Sequence, residues 1–133
     1  MKVVLDTNVL VSGIFWKGAP STVLERWIKD EFQVFTTVQI LKEVEKTLDQ
    51  IDHTPGKALS RHWLLFIAQN SRLVATTTSI KVCRDPDDDK FLNCALSAEA
   101  KFIVSGDKDL LSLGRIQSVE IVNPASFLKI LKN

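Results

Sequence analysis

Apolar residues follow two alternating rhythms along this chain: short unbroken runs, and longer stretches spaced three and four apart. Lys2–Leu5 is a brief β-branched run, the pattern of a strand buried in a parallel sheet. Val9–Trp16 is largely apolar and fits a helix or a strand equally well. Gly18, Pro20 and Ser21 then mark a loop and a helix start, and Ser21–Asp30 predicts a helix with Val23, Leu24, Trp27 and Ile28 inward. Gln33–Thr36 predicts a second strand. Thr37 suits the cap of a helix running to about Ile51, with Val38, Leu41, Val44, Leu48 and Ile51 as its apolar face. His53-Thr54-Pro55-Gly56 breaks that helix, and Lys57–Asn70 predicts the next, with Leu59, Trp63, Phe66 and Ile67 on one side. Leu73–Ala75 is a short strand candidate, and Thr76-Thr77-Thr78-Ser79 a polar connector. Asp87–Ala100 has a helical stripe of Phe91, Leu92, Ala95 and Leu96. Lys101–Ser105 and Val119–Val122 predict strands, Asp109–Leu113 a helical turn, and Pro124–Leu131 a terminal helix with Pro in its first turn. Strands and helices alternating in this way predict a layered α/β fold with a mostly parallel sheet.

Composition narrows the class. A chain of 133 residues predicts one domain over 1–133, and 45% hydrophobic residues suffice for a core. The net charge of +1 argues against a protein that coats nucleic acid through an overall basic field. Cys83 and Cys94 make no disulfide framework, and no Cys/His spacing fits zinc. Asp6 and Asn8 interrupt the first apolar stretch, so it does not read as a signal peptide, and no apolar run is long enough to span a bilayer. A cytoplasmic protein without a membrane segment is expected.

The acidic residues change the picture more. Asp6 ends the first strand, and Asp107 follows Phe102-Ile103-Val104-Ser105-Gly106. In open α/β sheets ligands bind beyond the carboxyl ends of the strands, so both belong on one edge. The cluster Asp85-Pro86-Asp87-Asp88-Asp89 holds more negative charge than capping a helix requires. Asp89 is the first choice to turn inward, with Asp88 close behind. Glu43 sits off the predicted apolar face of its helix at about 100° per residue, and by periodicity it reads as solvated, with Glu45 nearer the apolar edge. Carboxylates that converge call for a hard cation, Mg²⁺ or Mn²⁺. Setting the four acids Asp6, Glu43, Asp89 and Asp107 aside leaves the rest of the chain at +5, which suits a polyanionic substrate.

The ordered set Asp6-Thr7-Asn8-Val9-Leu10, Ile40-Leu41-Lys42-Glu43-Val44, Asp85-Pro86-Asp87-Asp88-Asp89 with Phe91-Leu92, and Ser105-Gly106-Asp107-Lys108-Asp109-Leu110 resembles a PIN domain. The resemblance is strongest to the single-domain bacterial and archaeal kind regarded as toxins of toxin–antitoxin modules. It implies a three-layer fold, a central mostly parallel sheet flanked by helices, and Mg²⁺- or Mn²⁺-dependent hydrolysis of RNA. By position it makes Asp6, Glu43, Asp89 and Asp107 the metal-binding catalytic acids, with Asp88 the alternative third ligand. Asn8 would orient Asp6, Ser105 would supply a small hydroxyl that holds the site, and Asp109 would cap a helix. An antitoxin protein would be the partner.

Lys42, Lys46, Arg84, Lys90 and Lys108 adjoin the acidic motifs and are candidate phosphate contacts, although each also reads as part of a solvated face. His53 and His62 read as surface residues. Trp27, Trp63 and the Val9–Trp16 segment suggest a homodimer face or an antitoxin groove, against ordinary core packing. Two rivals stand beside the nuclease. A phosphatase or phosphotransferase of another α/β family would want a second aspartate two residues after Asp6, where Asn8 stands. A catalytically silent RNA- or metal-binding module would not need all four acids.

Overall fold

A computed structural model describes residues 1–132. Its strands are β1 (Lys2–Leu5), β2 (Gln33–Thr36), β3 (Arg72–Leu73), β4 (Phe102–Val104), β5 (Arg115–Ile116) and β6 (Val119–Val122). Its helices are α1 (Thr7–Phe15), α2 (Ala19–Ile28), α3 (Val38–Ile51), α4 (Ala58–Asn70), α5 (Asp89–Ala98), α6 (Lys108–Leu113) and α7 (Pro124–Leu131). Single 3₁₀ turns at Pro55–Lys57 and Pro86–Asp88 lead into α4 and α5. The sheet order is β3-β2-β1-β4-β6-β5, parallel throughout except for the β5–β6 pair at one edge, and helices flank it.

The central strands are buried because their side chains have no water-facing side. Val3, Val4, Ile103 and Val104 are fully buried, which is the environment a continuous β-branched run requires. From β1 the chain builds outward to β2 and β3, then returns to place β4 and β6 on the other side. The order therefore reverses between β1 and β4, and a crevice opens at such a point beyond the carboxyl ends of the strands. Leu5 pairs with Val104, so Asp6 and Ser105 leave the sheet side by side, and the Asp6 amide donates to the Val104 carbonyl at 3.0 Å.

Most predicted elements lie within a residue or two of their expected places, and the exceptions have local reasons. The ambiguous apolar segment is helix α1, begun by Asp6, whose carboxylate accepts from the Asn8 amide. Glycine within that helix is required by α2: a Cβ on Gly13 would stand 2.8 Å from the Pro20 carbonyl oxygen and 2.7 Å from Leu24 Cδ1. Ile28 points outward, 54% exposed, because α2 ends there. Val38 is 56% exposed, and the buried face of α3 is Ile40, Val44 and Leu48, so Leu41 is only half-buried and Glu45 is exposed. The strand expected at Leu73–Ala75 reduces to Arg72–Leu73, and the edge strand β5 was not foreseen, since two residues carry no period.

Trp27 is buried and meets Phe66 edge-on at 4.9 Å, and Trp63 packs on the same ring at 5.5 Å. These two tryptophans join α2 to α4, and only Trp16 presents an open indole, 59% exposed. Phe127 anchors α7 through edge contacts with Phe32 and Phe102. Asp52, just past α3, accepts from the amide and hydroxyl of both Thr54 and Ser60, fixing the turn into α4. Burial alone would raise its pKa, and the four donors outweigh it and hold the carboxyl far below its ordinary value of 3.8. Cys83 and Cys94 are free thiols, both pushed up to about 12 chiefly by burial. No helix among the described residues is long and apolar enough to cross a membrane.

Candidate active site

Side chains from five elements converge at the crevice between β1 and β4. Asp6 is 4% exposed. Its Oδ1 accepts from the Asn8 backbone amide at 3.3 Å, and its Oδ2 accepts from the fully buried Ser105 hydroxyl at 2.6 Å. Ser105 Oγ also accepts from the Asp107 amide at 3.0 Å, so one hydroxyl ties the first acid to the loop that carries the last. Burial raises the Asp6 pKa, the Ser105 hydroxyl and Asn8 amide lower it, and the charges of Asp107 and Glu43 raise it again, for a net rise. Asn8 acts through its backbone, while its side chain is exposed.

Asp107 caps α6, accepting from the Asp109 amide. One carboxylate oxygen from each of Asp88, Asp107 and Asp109 lies within 4.8 Å of the others. Among these, Asp88 has its pKa pushed up to about 7, first by burial, then by the adjoining Asp107 carboxylate, then by the charges of Asp85 and Asp6. A carboxylic acid half-protonated near neutral pH, among oxygen donors only, has the chemistry of a seat for a hard divalent cation. The donor set therefore fits Mg²⁺ or Mn²⁺.

Asp89 does not join that trio. Its Oδ1 accepts from the amides of Val82 and Cys83, at 3.1 and 2.9 Å. Burial would raise its pKa, but those amides and the Cys83 thiol outweigh burial and lower it. One turn on, Asn93 bonds the amide and carbonyl of Ile80 and the Thr78 hydroxyl, and a turn later Ser97 accepts from the Thr77 amide. Asp89, Asn93 and Ser97 are thus a polar stripe at i, i+4 and i+8 that fastens the 77–83 connector along α5. Of the two aspartates weighed as third acid, Asp88 is the one whose carboxylate adjoins Asp107, while Asp89, the first choice, enters the helix with its Oδ1 held by the connector amides. Asp109, read as a cap, presents its carboxylate to the cluster, while Asp107 supplies the cap.

Glu43 reaches the site from the flank of α3. Thr7 donates a short hydrogen bond to its Oε2, and Lys90 donates to its Oε1 at 3.0 Å. Thr7 is buried beside Asp6 and was not singled out, although its place next to Asp6 was visible. Lys90, weighed as a candidate phosphate contact against a solvated face, is 8% exposed and paired with Glu43 and Asp87. Lys42, Lys46, Arg84 and Lys108 are exposed, as are His53 and His62. Beside Asp107 a cleft of about 480 Å³ opens between α1, α2 and α7, lined in part by Asn8, Pro20, Gly106 and Asn123.

A sequence profile of the PIN domain matches residues 2–109, which carry every acid of this cluster. The chain belongs to the PIN-domain family. PIN domains are nucleases and generally use divalent metals, in keeping with the oxygen-only donor set at Asp88, Asp107 and Asp109. The chain is similar to the uncharacterized protein MJ1680 of Methanocaldococcus jannaschii, 34% identical over 119 residues, covering 85% of this chain and 75% of that protein. Its fold is similar to a chain in the crystal structure of VapBC2 from Rickettsia felis bound to a DNA fragment from its promoter. That match has a TM-score of 0.64 at 16% identity and covers 92% of this chain and 98% of the other.

Proposed function

We propose that this PIN domain is a Mg²⁺- or Mn²⁺-dependent endoribonuclease and the toxin of a type II toxin–antitoxin module. The observation that carries the proposal is the convergence of Asp88, Asp107 and Asp109 beside Asp6 at the point where the strand order reverses. Asp6, Asp88, Asp107 and Asp109 would hold the ion, with Glu43 at the rim of the same cluster. A bound divalent ion supplies Lewis-acid charge that offsets the scissile phosphate and the leaving oxygen. The remaining work falls to the chain itself. Ser105 fixes the rotamer of Asp6, Thr7 and Lys90 fix Glu43, and the Asp89 stripe fastens the 77–83 connector along α5. No protein nucleophile is needed, and both cysteines are held protonated.

Exposed Lys42, Lys46, Arg84 and Lys108 would meet the RNA backbone around the acidic centre, which makes binding salt-dependent. An antitoxin partner is supported by the fold shared with a chain of the VapBC2 assembly. The test is cleavage of a mixed RNA pool with Mn²⁺, Mg²⁺ or EDTA. Asp107→Asn should remove turnover, by a factor of 10² or more on the order seen when a preorganised charge is deleted, with the circular dichroism spectrum unchanged. Equal, metal-dependent cleavage by this variant would sink the proposal, and turnover of a small phosphomonoester without RNA cleavage would move it to the phosphatase class.

A further inference from the structure

The acids at this site divide into two groups that differ in how their charge is met. Glu43 and Asp87 already share one internal counter-charge. Lys90 sits at the start of α5 with its side chain curled back over the preceding turn, and its Nζ contacts Glu43 Oε1 at 3.0 Å, Asp87 Oδ2 at 3.0 Å and the Asp87 carbonyl at 2.9 Å. An ammonium has three N–H donors and each has a protein acceptor, so none remains for a substrate phosphate. The other carboxylate oxygen of Glu43 takes the Thr7 hydroxyl. Lys90 is buried, with its Nζ 5.2 Å from the Phe91 ring centre. Asp6, Asp88, Asp107 and Asp109, by contrast, have no salt bridge among the described residues.

Phosphodiester hydrolases with two ions place them about 4 Å apart between shared carboxylates. Here a fixed positive charge already stands beside the one acid that α3 contributes. We infer that the Lys90 ammonium is a built-in cation occupying the place of a second metal ion next to Glu43, so that this site seats one divalent ion, at Asp88, Asp107 and Asp109. The inference rests on the metal reading of the site given above. Lys90 is then a positioning residue: it holds Glu43 in place and keeps a divalent ion from entering beside it. Charge repulsion supplies the exclusion, since a dication and an ammonium a few ångströms apart repel strongly in a partly buried site.

The experiment counts Mn²⁺ ions per chain on metal-free protein, by calorimetry and by the electron paramagnetic resonance signal of free Mn²⁺. The wild type should bind one ion. Glu43→Gln should still bind one, with its Kd within about threefold, because Glu43 is held by Lys90 and Thr7 rather than by the ion. Lys90→Met should admit a second ion, and Lys90→Met combined with Glu43→Gln should return the count to one. Lys90→Arg, which keeps the charge, should stay at one. Two ions in the wild type, more than about tenfold weaker binding in Glu43→Gln, or a single ion in folded Lys90→Met would each overturn the inference while leaving the nuclease reading intact. Should Lys90→Met fail to fold, the wild-type count and Glu43→Gln decide. No ion in the wild type, with or without RNA, would overturn the metal reading and this inference together.

Discussion

At the scale of single residues, Asp88 and Asp89 are chemically identical neighbours with opposite environments. Asp88 is partly buried and crowded by other carboxylates, and its pKa is raised, whereas for Asp89 the backbone amides outweigh burial and its pKa is lowered. Removing charge should therefore act in opposite senses at the two positions. Asp88→Asn relieves repulsion in the metal-free protein, so its Tm should stay level or rise while Mn²⁺ affinity falls by about tenfold or more. Asp89→Asn loses the charge-assisted bonds to Val82 and Cys83 and should cost about 1–3 kcal/mol by urea denaturation. The reverse ranking of the two variants would show that Asp89 is the ligand. In the sequence both sit in one acidic run, and the choice between them was not legible there. The i, i+4, i+8 spacing of Asp89, Asn93 and Ser97 was the available signal, because three polar residues on one line of a largely buried helix need partners.

At the scale of elements, α1 and α2 are held at a distance that only glycine permits. Alanine at position 13 would gain about 1 kcal/mol of helix propensity. Against that, its Cβ would meet the Pro20 carbonyl at 2.8 Å, and overpacking of this kind costs about 1–3 kcal/mol. Since a backbone atom cannot swing aside as a side chain can, the clash should win. Gly13→Ala should lower the Tm, and an unchanged or higher Tm would mean that the helices separate freely. Helices α3 and α7 and the strands β2 and β6 were legible because their caps and periods agree, as with Thr37 accepting from the Ile40 amide and Asn123 from that of Ser126. Helix α1 was not, since an apolar stretch without alternation is compatible with either element until its neighbours are known.

For the whole molecule, stability and pH are linked through the same carboxylates. The Asp88 pKa is raised in the folded state, so between its ordinary value of 3.8 and about 7 the folded protein holds a proton that the unfolded chain has released. Stability of the metal-free protein is then lost as pH rises through that window. Asp52 has the opposite sign: its pKa is lowered, so its contribution is full above 3.8 and disappears as pH falls toward its folded value. Thermal melts of the metal-free protein should show stability falling from mildly acidic to neutral pH. Mn²⁺ should raise the Tm most at about pH 7.5 and little at about pH 5, where Asp88 keeps its proton. A Mn²⁺ increment independent of pH would exclude Asp88 from the ion's seat.

By itself the sequence determined the alternation of strands and helices, the parallel sheet that follows from it, and the acids that end β1 and follow β4. Those conclusions rest on local period and on the rule that ligands gather at the carboxyl ends of strands, both properties of short segments. Only the tertiary structure decided which of two adjacent aspartates faces Asp107, that Asp109 joins the cluster, and that Lys90 lies inside the site rather than on its rim. Glu43 shows the reason most plainly. Its position on the helical wheel was read against an apolar face that included Val38 and Leu41, and packing moved that face to Ile40, Val44 and Leu48. Which side of a helix is inside, and what a long polar side chain meets there, depends on elements distant in sequence, here Thr7 on α1 and Lys90 on α5.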